Sequence, residues 1–143
     1  VQQPCPPVII GGSGAKKTPR LAATFADEYN VPFAPLDTIK TQIERVREAV
    51  DSVGRPADSM TYSAAFVVCA GRDDAEVARR AGAIGREVDE LRSNSPLAGT
   101  PSEIVDHLGP FTEIGLKRVY LQLLDMSDVD HLQLFADEVQ RQL

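Results

Sequence analysis

The chain has 143 residues, the size of one domain by the usual span of roughly 100–200 residues. It is 43% hydrophobic and 25% charged, as globular proteins are, and 15 Lys and Arg against 21 Asp and Glu give a formal charge of −6 and a pI near 4.9. With no basic surplus to release counterions, general attraction to nucleic acid or anionic lipid is excluded, and no apolar run nears the ~20 residues of a membrane span.

The lead-in, Val1-Gln2-Gln3-Pro4-Cys5-Pro6-Pro7, has neither the basic nor the apolar part of a secretory leader. It also lacks an initiator Met, so the chain is expected to be entered partway through and to act in the cytoplasm. Cys5 and Cys69 have no metal-ligand spacing and form no disulfide framework; Cys69, inside an apolar run, reads as a buried small residue. His107 and His131 stand alone beside Asp106 and Asp130, which predicts solvated or capping roles and no metal site.

Val8-Ile9-Ile10 is a continuous apolar run of the buried parallel-strand kind, ended by Gly11-Gly12-Ser13-Gly14. A helix follows, with Thr18 as cap, Pro19 at its first position and Leu21, Ala22, Phe25, Ala26 and Tyr29 as its apolar stripe. A short strand is expected over Tyr29–Phe33, with Pro32 at its end because proline lacks a ladder donor. Asp37 caps a long helix carrying Ile39, Ile43, Val46, Val50 and Val53, ended by Gly54 and Pro56.

Thr61–Ala70 is the strongest strand candidate. Asp73 and Glu76 then form a capping box before one helical face of Val77, Ala81, Ile84, Val88 and Leu91. After the loop at Ser93–Pro96, Thr100-Pro101-Ser102-Glu103 opens a helix bearing Ile104, Val105, Leu108 and Phe111. Gly115 precedes a last strand, Val119–Leu124, and Ser127 or Asp128 caps a final helix with Leu132, Phe135, Val139 and Leu143. Strands separated by helices throughout require crossovers, so the fold class is α/β with a parallel sheet over residues 1–143 as a single unit. Four βα units make either half of an eight-stranded barrel or a small open sheet, and periodicity does not choose between them.

The chemistry concentrates in Gly11-Gly12-Ser13-Gly14-Ala15-Lys16-Lys17-Thr18. A glycine turn between a strand end and a helix start lets backbone amides converge, and the helix dipole adds positive potential. Ser13 and Thr18 add hydroxyls, and Lys16, Lys17 and Arg20 form a basic cluster in an acidic chain. The turn therefore suits a phosphate or another anion, although a tight βα bend alone would also use these glycines. It is not a Walker A loop, because Lys16 stands where the second glycine must be; nor is it a dinucleotide fingerprint, because Lys17 takes the third glycine's place.

Pro6 to Ala23, followed by Phe25-Ala26-Asp27-Glu28-Tyr29-Asn30-Val31, resembles the bacterial luciferase-like monooxygenase family, in particular its branch of oxidoreductases that use the deazaflavin coenzyme F420. Gly99-Thr100-Pro101-Ser102-Glu103-Ile104-Val105 and Arg118-Val119-Tyr120-Leu121-Gln122-Leu123-Leu124-Asp125 agree with it. The resemblance implies a TIM (β/α)8 barrel of which this chain supplies the C-terminal half, incomplete on its own. It implies that Gly11, Gly12, Ser13, Gly14, Lys17 and Thr18 bind the phosphate of F420, or alternatively of FMN, and that Asn30, Pro32 and Phe33 contact a small-molecule substrate. The family's sugar-phosphate dehydrogenases carry a basic residue after that strand; Phe33-Ala34-Pro35 here points to a less polar substrate.

The implied reaction is hydride transfer between substrate and (deaza)flavin, by an enzyme whose catalytic residues these motifs leave unknown. Tyr120 reads as core, and Asp125 as either a functional carboxylate or a helix cap. A stand-alone α/β module that binds a phosphate or nucleotide without redox chemistry is the alternative. Open sheet edges predict a homo-oligomer, or association with an N-terminal half.

Overall fold

Strands and helices alternate largely as the periodicities predict. In a computed structural model, which describes Gln3 and residues 5–143, the order is β1 (Ile9–Gly11), α1 (Lys17–Phe25), β2 (Glu28–Pro32), α2 (Leu36–Ser52), β3 (Thr61–Val67), β4 (Cys69–Ala70), α3 (Asp74–Ala83), α4 (Val88–Asn94), β5 (Ala98–Gly99), α5 (Pro101–Glu113), β6 (Arg118–Gln122) and α6 (Val129–Leu134). A π-helix over Phe135–Val139 and a 3-10 turn over Gln140–Gln142 end the chain. Val1, Gln2 and Pro4 of the lead-in lie outside the described residues.

One sheet has the order β1-β2-β3-β6 and a second pairs β4 with β5. The pairs β1–β2, β2–β3 and β4–β5 are all parallel. The expected α/β class with parallel strands is therefore observed. By its internal contacts the chain divides into two units, Val1–Ala65 with Ile114–Tyr120, and Phe66–Glu113 with Leu121–Leu143.

In the first unit, alternate strand residues point to opposite faces. Tyr29 and Val31 of β2 and Tyr62 and Ala64 of β3 are buried, as are Ala22, Ala23 and Ala26 in and just after α1 and Ile39, Ile43, Val46 and Val50 of α2. The other face of β2 carries Glu28, Asn30 and Pro32; Glu28, itself buried, pairs with Arg118 and accepts from the Tyr120 hydroxyl at 2.9 Å. Arg55 closes the far end of α1, donating to the Ala23 and Ala26 carbonyls at 2.9 Å each, where a cation suits the helix C-terminus.

Several local expectations are corrected here. β1 is an edge strand among the described residues, with Val8 and Ile9 exposed, so its apolar run does not mark burial. Thr18 is the second residue of α1, whose cap position is Lys16, and Phe25 faces solvent. Asp37 lies inside the first turn of α2 and makes no capping bond, because Pro35 occupies the cap position; its charge still favours that helix end.

In the second unit, Cys69, Val77, Ala81, Leu91 and Ala98 form one core, with Val67, Ile84 and Val88 against it. Phe66 and Phe111 meet edge to face with ring centres 5.4 Å apart. The single strand expected over Thr61–Ala70 breaks at Val68, whose amide donates to Gln122; Cys69 donates to Leu97. An apolar run does not show where a strand changes partner.

The single helical face expected from Val77 to Leu91 is likewise two helices. Gly85 adopts a left-handed φ of 67°, and Arg86 and Gly85 donate back to the Ala81 and Gly82 carbonyls, ending α3 in a Schellman turn. Pro101 opens α5 as expected, with the Thr100 amide and hydroxyl both donating to Glu103 at 2.8 and 2.9 Å.

Candidate functional site

The glycine turn leaves β1 at Gly11, which sits in register with Asn30 of β2. Gly12 has φ 133°, a conformation that L side chains rarely adopt, and its amide donates to the Asn30 carbonyl at 3.1 Å. At Gly14 a Cβ would lie 2.5 Å from the Thr18 hydroxyl oxygen, so the turn can lie on the first turn of α1 only without a side chain there. Gly11, Gly12, Gly14, Thr18 and Asn30 are thus brought together at the C-terminal ends of β1 and β2. Lys16, Lys17 and Arg20 are exposed.

The start of α1, like those of α2 and α4, has no side-chain cap. Its cap residue, Lys16, makes no side-chain capping bond, and the third helical residue is Pro19, which has no amide proton to satisfy. The amides of Lys17 and Thr18 are left without a side-chain acceptor among the described residues. An uncapped helix start beside a glycine turn is a place where an anion replaces the missing cap.

Two buried side chains hold this turn that the motifs did not single out. The Tyr29 hydroxyl donates to the Gly12 carbonyl. The Gln42 amide nitrogen donates to the Ser13 carbonyl at 3.1 Å, and its oxygen lies 3.5 Å from the Tyr29 hydroxyl. Burial pushes the Tyr29 phenol up to about 12, with the Arg45 guanidinium pulling the other way, so the phenol keeps its proton. Gln42 did leave a signal in the sequence: it is a polar residue on the buried face of α2, among Ile39, Ile43 and Val46.

Asn30 is half-buried and its side-chain amide donates to the Ser63 hydroxyl at 2.9 Å. Pro32 ends β2 as expected. Phe33 follows it with φ 51°, the one non-glycine residue at positive φ among those described, and is 54% exposed. Its amide donates to the Ala65 carbonyl at 2.9 Å, which fixes the bend.

In the second unit Asp125, Asp128 and His131 are all occupied by hydrogen bonds. Asp125 accepts from the Ser127 amide and hydroxyl at 2.9 and 2.6 Å, and those bonds lower its carboxyl; it is a turn-closing residue. Asp128 caps α6 by accepting from the His131 amide at 3.0 Å. The solvated or capping role expected of His131 is corrected: its ring is buried and Nε2 accepts from the Ala70 amide at 2.9 Å, while its own backbone amide is the capped group. His107 is exposed and Cys69 buried, as expected. Among the described residues no group of three or more His, Cys, Asp or Glu side chains could hold a metal ion, and no helix is long and apolar enough to cross a membrane.

The model of the luciferase-like monooxygenases matches residues 1–104. No curated protein matches the sequence significantly. Among solved structures, the coenzyme F420-dependent tetrahydromethanopterin reductase of Methanopyrus kandleri superposes with a TM-score of 0.74 at 13% identity, over 95% of this chain and 50% of that one. An F420-dependent secondary alcohol dehydrogenase, solved with an F420–acetone adduct, gives 0.77 at 15% identity over 96% and 49%.

The oxygenating constituent of 3,6-diketocamphane monooxygenase from Pseudomonas putida, in complex with FMN, gives 0.68 at 18% identity over 96% and 49%. At such identities the superpositions establish the fold, and the chain spans about half the length of these structures, as a partial barrel does. With the family model covering most of its length, the chain belongs to the luciferase-like monooxygenase family.

Proposed function

We propose that this chain, as a single unit of residues 1–143, supplies the C-terminal half of a luciferase-like barrel oxidoreductase and holds the phosphate of its F420 or FMN cofactor. The observation that carries this reading is the uncapped start of α1 beside the glycine turn. The residues fit the group: Gly12 and Gly14 leave the backbone open, the amides of Lys17 and Thr18 have no side-chain acceptor, and Lys17 places a cation at the helix start. Gly11 and Ser13 complete the turn. When bound, the (deaza)flavin supplies the hydride chemistry, and this chain's residues fix its phosphate end and shape the substrate side.

Asn30, Pro32 and Phe33 form that substrate side. Ser63 orients the Asn30 amide, and the left-handed backbone at Phe33 presents an aromatic ring at the end of β2. A strained residue held at a strand's C-terminal end fits a contact retained for binding, and its apolar ring suits a small substrate of low polarity. The test is titration of the protein expressed from its whole reading frame with F420 and FMN, and with the phosphate-free deazaflavin and riboflavin. At least one phosphorylated form should bind about tenfold tighter than its phosphate-free counterpart, the worth of one charge-assisted bond. Equal affinities would overturn the reading.

A further inference from the structure

The amides of Lys17 and Thr18 are one half of the anion site; the orientation of the turn itself supplies the other. In a trans peptide the carbonyl and the following N–H lie in one plane and point in opposite directions. The Gly12 carbonyl points at the Tyr29 hydroxyl, and the Ser13 carbonyl points at the Gln42 amide nitrogen. The amides of Ser13 and Gly14 must therefore point away from that buried pair, and neither donates to any described residue. Two successive amides facing outward form a concave donor pair of the kind that binds anions.

From this we infer that Tyr29 and Gln42 are positioning residues, which set the Ser13 and Gly14 amides as phosphate donors by fixing the carbonyls behind them. The inference rests on the reading of the glycine turn as a phosphate grip. The residue types suit the task. Tyr29 is fully buried, and its phenol keeps the proton it donates. The Gln42 oxygen faces that phenol, which leaves its nitrogen for Ser13.

Burying an amide among Ile39, Ile43 and Val46 is costly unless it is hydrogen-bonded, and here its nitrogen is spent on the Ser13 carbonyl, while its oxygen lies 3.5 Å from the phenol oxygen, whose single proton goes to Gly12. A glycine turn without such ties would flip its peptide planes freely, and an anion would then have to order them on binding. A purely structural role would make Tyr29 and Gln42 matter for stability alone. The positioning role makes them matter for the phosphate in particular.

The experiment compares Tyr29→Phe, Gln42→Met and Gln42→Glu with the unaltered protein, expressed from its whole reading frame. FMN is titrated against riboflavin and F420 against its phosphate-free deazaflavin, with thermal melting as a check on folding. Each variant should lose about 3–10-fold of the preference for the phosphorylated form, the worth of one hydrogen bond, while affinity for the phosphate-free form holds. Gln42→Glu keeps the shape of the side chain but turns a carboxylate oxygen on the Ser13 carbonyl, and it carries the test if Tyr29→Phe fails to fold. Equal losses for both forms, or an unchanged preference, would overturn the positioning role. If the unaltered protein shows no phosphate preference, the grip and the positioning role fall together. If Gly12→Asp abolishes the preference and the Tyr29 and Gln42 variants keep it, only the positioning role falls.

Discussion

The two units hold their loops by opposite means. In the first, two uncharged side chains, Tyr29 and Gln42, are spent on the carbonyls of the glycine turn, and the amides on its other side are left over. In the second, Arg80 is 3% exposed and donates to the Ala70 carbonyl, Asp128 and Asp130 at 2.8–2.9 Å, with Glu76 3.2 Å away; Arg72 and Arg79 crowd the same carboxylates. That cluster is dense in charge, yet each of its charged groups already has a partner. On the proposed reading, it is unsatisfied donors beside the glycine turn that would hold the phosphate. The acidic average of the chain and its richest ion-pair network both point elsewhere.

The sharpest way to break the contrast is Gly12→Asp. It forces a side chain onto φ 133° and sets a carboxylate beside the proposed phosphate position. Like charges about 4 Å apart at a protein surface repel by some 4 kcal/mol, so titration should show affinity for F420 or FMN falling ~100-fold or more, with riboflavin affected far less. Arg80→Met should do the reverse. Removing the guanidinium strands Asp128 and the Ala70 carbonyl, costing about 3 kcal/mol, the low end for breaking a buried pair because Asp130 is 55% exposed and screened by water. Urea unfolding should record that loss, and the preference for phosphorylated cofactor should be untouched. An equal effect of Arg80→Met on FMN and on stability would erase the distinction between the units.

Most of the first unit was legible in the sequence because its signals are local. The glycine turn, Pro32 at the strand end and the three-and-four spacing from Ile39 to Val50 each depend on residues near in the chain. The corrections fall where a distant partner decides. Val68 divides a uniform apolar run only because Gln122 and Leu97 claim neighbouring amides. The break at Gly85 leaves Val77, Ala81 and Leu91 in one core, so the hydrophobic pattern reads as a single helix. His131 reads as solvated because no nearby residue announces that Ala70, 61 positions away, donates to it. Tyr29 read as an apolar residue until its hydroxyl found Gly12, and Gln42 left only the oddity of an amide on an apolar face.

A smaller effect tests the second unit by pH. Burial holds the His131 imidazole below its ordinary 6.5, with Arg80 adding to this and Asp128 opposing it. Its neutral ring accepts from Ala70, so this contribution to stability is full above 6.5 and is lost as pH falls from there through the folded value. The carboxylates respond later. The Arg72 and Arg80 guanidinium groups hold Asp130 at about 2, and Arg80 holds Asp128 below its usual range, so their contributions fade only below about 4. Amide exchange at Ala70, corrected for the intrinsic rate, should accelerate as pH falls below 6.5, where the turn amides of the first unit do not respond. His131→Gln, which keeps an acceptor that does not titrate, should flatten that profile; a persistent acid step would assign it to another group.

The mildest test concerns Phe33. Its backbone is left-handed, which costs a non-glycine residue about 1–2 kcal/mol, and the exposed residue recovers little by burial. Asparagine accepts that conformation readily. Phe33→Asn should therefore melt no lower than the unaltered protein, although a large aromatic has been removed. If the ring contacts substrate, KM rises about 5–150-fold, by the ~1–3 kcal/mol that a hydrophobic contact contributes, while kcat changes little. The two readouts must separate for the assignment to stand. A lower melting temperature with unchanged KM would make Phe33 a packing residue, and the substrate contacts of this strand end would then rest on Asn30, whose amide Ser63 already holds in place.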